Sequence, residues 1–95
     1  MLKTKAKVKF QGARKTPIGS GIRPTFFFDN NINVMGVIRL LNKEALYPDD
    51  EEIIEIVFPF NELLPLNFDI GSNFTFGEHP KYLYGQGKIT EIETS

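Results

Sequence analysis

Leu2, Ala6, Val8 and Phe10 alternate with Lys3, Lys5, Lys7 and Lys9. A period of two places apolar groups on one face and four ammonium groups on the other, which predicts a half-buried strand over the first ten residues. Lysine on an exposed strand face commonly blocks pairing with other chains. The row therefore reads as protection of a sheet edge in preference to an anion site. Gln11 to Gly21 is a long connection with three Gly and one Pro. A second strand, Pro24-Thr25-Phe26-Phe27-Phe28, follows, and its run of Phe predicts apolar contact on both faces.

Asp29-Asn30-Asn31 has turn chemistry, because short amide and carboxylate side chains bond to nearby backbone. Val34 to Leu41 reads as a third strand, in which Gly36 permits a bulge or a close backbone approach. Tyr47 to Glu52 is a turn. In the strand after it, Ile54, Ile56, Phe58 and Phe60 form the more apolar face, expected to point inward. Glu62 to Leu66 reads as a short irregular segment, since Pro65 removes a donor and disfavours helical backbone at Leu64. Phe74 to Phe76 and Tyr82 to Glu93 give the fifth and sixth strands. No long helix is predicted. Short strands separated by turn signals argue for an all-β domain, and about six in this length favour a small closed barrel.

Ninety-five residues suffice for one core and not two, so residues 1–95 are expected to form a single domain. Nine Phe within an apolar fraction of 41% support a packed interior. Cysteine is absent, which excludes disulfides, thiolate nucleophiles and thiolate metal sites. The basic N-terminus is followed by no apolar segment, and no stretch approaches the ~20 apolar residues that span a bilayer, so a cytoplasmic location away from membranes is expected. The net charge of −1 hides an asymmetry: residues 1–43 hold nine Lys/Arg against one acid, and residues 44–95 hold two against eleven.

The segment Gly12 to Phe28, GARKTPIGSGIRPTFFF, resembles the start of the third, C-terminal domain of translation elongation factor Tu, with Gly12, Arg14, Thr16, Pro17, Gly21, Arg23, Pro24, Phe26 and Phe28 in register. Tyr47-Pro48-Asp49-Asp50 stands where that family has Met-Pro-Gly-Asp, Phe74 to Glu78 where it has Phe-Ala-Ile-Arg-Glu, and Gly85-Gln86-Gly87-Lys88-Ile89 where it has Gly-Ala-Gly-Val-Val. The resemblance covers roughly residues 5–92 and implies a six-stranded antiparallel closed β-barrel, standing alone without the GTPase domain. Gly77 replaces the first Arg of a family loop, His79 and Pro80 replace its glycines, and Lys81 restores its second Arg.

No Gly-rich loop ends in Gly-Lys-Ser/Thr, so the chain carries no phosphate cradle of that kind. Gly19-Ser20-Gly21 and Gly85-Gln86-Gly87 read as turn or close-packing glycines. The acidic run Asp49 to Glu52 reads as a solvated turn, because calcium loops interleave their ligands with turn residues. His79, the one histidine, sits beside Pro80 without the companions of a triad or zinc site, and Ser20 and Ser72 have no neighbouring base. No catalytic residue, cofactor, metal or small-molecule substrate is therefore expected.

Two functional readings stand. The first is a protein-interaction or mimic module connected with translation, which presents an elongation-factor-like face to a translation factor's GTPase domain, an exchange factor or a toxin; an immunity or decoy role stays open. The second is tRNA or structured-RNA binding, in which Arg14 and Lys15 correspond to a family Arg-His pair at the T-stem backbone and Lys3 to Lys9 extend a basic surface. Either reading uses Arg14, Lys15, Thr16, Arg23 and Lys81 as contacts. Against both, Arg14 and Arg23 equally suit the satisfaction of loop carbonyls within their own barrel. The protein reading is preferred, because the pI is near 5.8 and Gly77 replaces an Arg.

Overall fold

The computed structural model describes residues 1–93. The described residues form nine strands: β1 (Leu2–Lys9), β2 (Ile18–Gly19), β3 (Thr25–Phe27), β4 (Asn33–Met35), β5 (Val37–Leu40), β6 (Ala45–Leu46), β7 (Glu51–Phe58), β8 (Asn73–His79) and β9 (Tyr82–Glu93). The described residues contain no α-helix, only two single turns of 3-10 helix at Asp29–Asn31 and Asn61–Leu63. Among the described residues no helix is long and apolar enough to cross a membrane. Seven strands form one antiparallel sheet in the order β4-β3-β8-β9-β1-β7-β5, and β2 pairs with β6.

The all-β class agrees with the sequence pattern, but the closed six-stranded barrel does not. The large sheet is a curled half-barrel of seven strands, because the expected third strand breaks at Gly36. Its first part, β4, pairs with β3 at one margin of the sheet, and its second part, β5, pairs with β7 at the other. A side chain at Gly36 would lie 2.7 Å from the Phe26 ring, so the backbone comes as close to the core here as a glycine permits. The chain before β3 then covers the free side of β5. Gly21 N–H donates to the Ile38 carbonyl at 2.8 Å, Ile38 N–H to that of Ile22 at 3.0 Å, and Gly36 N–H to that of Pro24 at 3.2 Å.

The lysine row also needs correction. β1 is a central strand, flanked by β7 and β9, so its lysines protect no edge. They face carboxylates instead: Lys3 is opposite Glu93, Lys5 opposite Glu55 and Glu91, and Lys9 opposite Glu51. Lys5 reaches Glu91 at 3.4 Å, and Lys7 reaches Glu51 at 3.0 Å. The charge asymmetry along the chain is thus largely cancelled across strands.

The inner face carries the core. Ala6, Val8 and Phe10 of the first segment are buried as expected, and so are Ile54, Ile56 and Phe58. Thr4 shares that face, with its hydroxyl donating to the Ile56 carbonyl at 2.9 Å. Phe26 stacks on Phe76 at 5.6 Å and meets Phe58 and Phe74 edge-on, while Phe27 turns outward. Phe60 departs from the expected inner row, at 49% exposed, because the strand ends at Phe58 and the chain leaves the sheet at Pro59. Phe68, from the connection that follows, packs edge-on to both Phe28 and Phe58 instead.

Candidate functional site

Gly12 begins the site. A side chain there would run into the Leu83 carbonyl oxygen, and Ala13 N–H donates to that same oxygen at 2.8 Å. This seam lays the loop after β1 across the start of β9, and it carries Arg14 over Tyr84. The Arg14 guanidinium carbon lies 4.9 Å from the centre of the Tyr84 ring. Its Nε donates to the Thr16 carbonyl and hydroxyl, both at 3.1 Å, and its Nη2 to the Pro17 carbonyl at 3.3 Å.

Tyr84 is buried in the core beside Phe10 and Phe76, and its hydroxyl emerges to donate to Glu78 Oε1 at 2.8 Å. Burial is the main cause that raises its phenol above the ordinary value, with the Glu78 hydrogen bond adding to it and Arg14 opposing it. The group is a neutral hydroxyl at physiological pH.

Arg14, Tyr84 and Glu78 line a hollow of about 440 Å³ together with Ile22, Arg23, Pro24, Thr25 and Gly77. Arg23 is exposed at its rim, and among the described residues it has no carboxylate within salt-bridge distance. The hollow therefore presents two guanidiniums, one turned into its own loop and one free, beside a single carboxylate already engaged by a phenol.

The five residues singled out from sequence are only partly gathered. Arg14 and Arg23 line the hollow, and Thr16 anchors Arg14. Lys15 is exposed on the same loop but is not among the lining residues, and Lys81 stands in the β8–β9 turn, where its backbone N–H donates to His79 Nδ1 at 3.1 Å. The self-satisfied role weighed for Arg14 is the one the structure shows. Glu78 and Tyr84 were not among the sequence candidates. The one signal for them is Gly12, whose closeness to Leu83 fixes which strand lies beneath Arg14.

Gly77 is buried where β8 shifts register against β9, and a Cβ there would run into the Tyr82 carbonyl oxygen. Any side chain at this position would run into the backbone of the hairpin, so the geometry asks for glycine here. The Ser72 hydroxyl serves a turn, accepting from Asp69 N–H at 3.0 Å, and the Ser20 hydroxyl accepts from Leu40 N–H at the end of β5 at 2.8 Å. In the acidic run, Asp50 and Glu52 both pair with Lys43, at 3.1 and 3.4 Å. Among the described residues no cluster of three or more His, Asp or Glu side chains is placed to hold a metal ion.

No family model matches the chain.

Proposed function

We propose that this protein is a non-catalytic protein-binding module whose hollow between Arg14, Arg23 and Tyr84 receives an acidic side chain of a translation-machinery partner of the kind that grips elongation factor Tu. The observation that carries the reading is convergence. The segment richest in likeness to the third domain of that factor, Gly12 to Phe28, lines this hollow with Arg14, Arg23 and Pro24, and Glu78 from a second matched segment lines it too. Arg and Tyr are the residue types enriched at interface centres, because each supplies a large, rigid contact with a polar end. Arg14 is held in place before any partner arrives, so binding costs little of its side-chain freedom. A standard interface of ~800 Å² per side fits a domain of this size.

RNA is the weaker ligand, since phosphate binding draws on net positive charge and the chain is acidic overall, with a pI near 5.8. The test is titration calorimetry of the purified chain against the purified GTPase domain and exchange factor of an elongation factor Tu system, with tRNA as a parallel titrant at low and high salt. Binding of one of the proteins that survives high salt and weakens at least tenfold in Arg23→Glu is the expected result. Binding of tRNA alone, lost at high salt, overturns the protein reading in favour of RNA, and no binding by any titrant overturns both.

A further inference from the structure

On the outer face of the sheet, away from the Arg14 hollow, a shallow groove of about 790 Å³ runs across β3, β8, β9 and β1. Its rows follow from register. Phe27 is opposite Thr75, Thr75 opposite Gln86, and Gln86 opposite Lys9; in the neighbouring row Asn73 is opposite Lys88 and Lys88 opposite Lys7. The groove thus has an aromatic ring at one side, neutral amides and a hydroxyl across the middle, and three lysines at the other. Asp29 and Glu51 complete its charged lining.

Lys7 against Lys88 is the anomaly. Every other lysine of β1 is set opposite a glutamate on at least one side, whereas Lys7 faces Ile53 on β7 and a like charge on β9. Like charges directly opposite destabilise a sheet. Lys7 is relieved by Glu51 at 3.0 Å, which leaves Lys9 and Lys88, among the described residues, outside any ion pair. The face that otherwise neutralises itself leaves positive charge inside its groove.

Phe27 adds a second, independent observation. Phe26 and Phe28 on either side are buried in the core, while Phe27 stays half-exposed on the groove wall with its ring unclaimed by any aromatic pair among the described residues. Three strand spacings of about 4.8 Å separate it from Lys9, roughly 14 Å in all. A single phosphate is too short to touch both ends.

We infer that this groove binds single-stranded nucleic acid, with backbone phosphates on Lys7, Lys9 and Lys88 and a base stacked on Phe27. Stacking platforms beside a cationic track are how sheets hold single strands without strict sequence preference, and Asn73, Thr75 and Gln86 offer hydrogen bonds to base edges between them. The site is separate from the Arg14 hollow, so the two can fail independently.

The experiment is fluorescence anisotropy with labelled eight-nucleotide oligouridine and oligothymidine, an eight-base-pair duplex, and ATP. Binding of a single strand is expected, with a log–log salt slope of about −2 for three phosphates. Phe27→Ala is expected to weaken it about tenfold or more, Lys88→Glu to weaken it and flatten the slope, and Arg23→Glu to leave it unchanged. Far-ultraviolet circular dichroism verifies that each variant is folded, as these are outward side chains. The inference is overturned if neither strand binds at low salt, if the duplex or ATP binds as tightly as the octamers, or if folded Phe27→Ala and Lys88→Glu bind like the wild type.

Discussion

The guanidinium of Arg14 sits over the ring of Tyr84, 4.9 Å from its centre, while three of its hydrogen bonds return to Thr16 and Pro17. One side chain thereby fixes the loop after β1 to the start of β9. A cation over an aromatic ring at a partly exposed site contributes about 0.5–1 kcal/mol, and exposed hydrogen bonds add a few tenths each. Arg14→Ala is expected to lower stability by about 1–2 kcal/mol in urea denaturation. Arg14→Lys should recover little of this, because an ammonium cannot serve Thr16 and Pro17 in the plane of a guanidinium while covering the ring.

Tyr84 gives the fold an alkaline limit. Its phenol is raised above the ordinary value of about 10, first by burial and then by the bond to Glu78. Above that value the unfolded chain releases the proton before the folded chain does, so unfolding is favoured as pH rises. The contribution is complete below about pH 10 and is lost as pH climbs through the folded value. Stability of the wild type should therefore fall more steeply above pH 10 than that of Tyr84→Phe, which has no proton to release there. Parallel curves for the two proteins across pH 9–11.5 would contradict this.

How much was legible from sequence depends on the kind of information asked for. The alternation of Lys3 to Phe10 and the run Tyr82 to Glu93 fixed strand existence and facing, and the structure has β1 and β9 where those patterns lie. Period-two alternation says nothing about neighbours, which is why the lysines read as an edge when β1 is central. Gly36 marked a close approach, yet nothing local showed that it would send β4 and β5 to opposite margins; that follows from the Phe26 ring beneath it. Arg14 was visible as a loop-tying residue from Thr16 and Pro17 beside it. Its contact with Tyr84 was not, because that contact is made by β9 folding back under the loop.

The turn at Tyr47 to Asp50 holds removable strain. Asp50 N–H donates to the Tyr47 carbonyl at 2.9 Å, Pro48 occupies the second position, and Asp49 in the third has φ of 73°. This is the position of a type II turn that asks for glycine. A side chain in that region costs about 1–2 kcal/mol, and glycine gives back about 0.4–1 kcal/mol through the greater freedom of the unfolded chain. Asp49→Gly is expected to stabilise by about 0.5–1 kcal/mol, and Asp49→Val, whose branched Cβ crowds the same backbone, to destabilise. Thermal melts of the two variants read out opposite signs if the turn is as described.

Gly36→Ala tests why the sheet has two margins. The added methyl would lie 2.7 and 2.9 Å from two Phe26 ring carbons and 3.0 Å from Ile56 Cγ2. A flexible surface chain would move aside, but Phe26 is held by Phe58, Phe74 and Phe76, with ring centres 5.3–5.6 Å away. Overpacking a filled core costs about 1–3 kcal/mol. The expected loss in Gly36→Ala is in that range, and its origin can be separated from the ordinary effect of alanine on a strand by a double-mutant cycle with Phe26→Leu. With the smaller side chain beneath it the methyl has room, so the cost of Gly36→Ala in the Phe26→Leu background should shrink by at least 1 kcal/mol. An unchanged cost in that background would show that the ring does not set the break between β4 and β5.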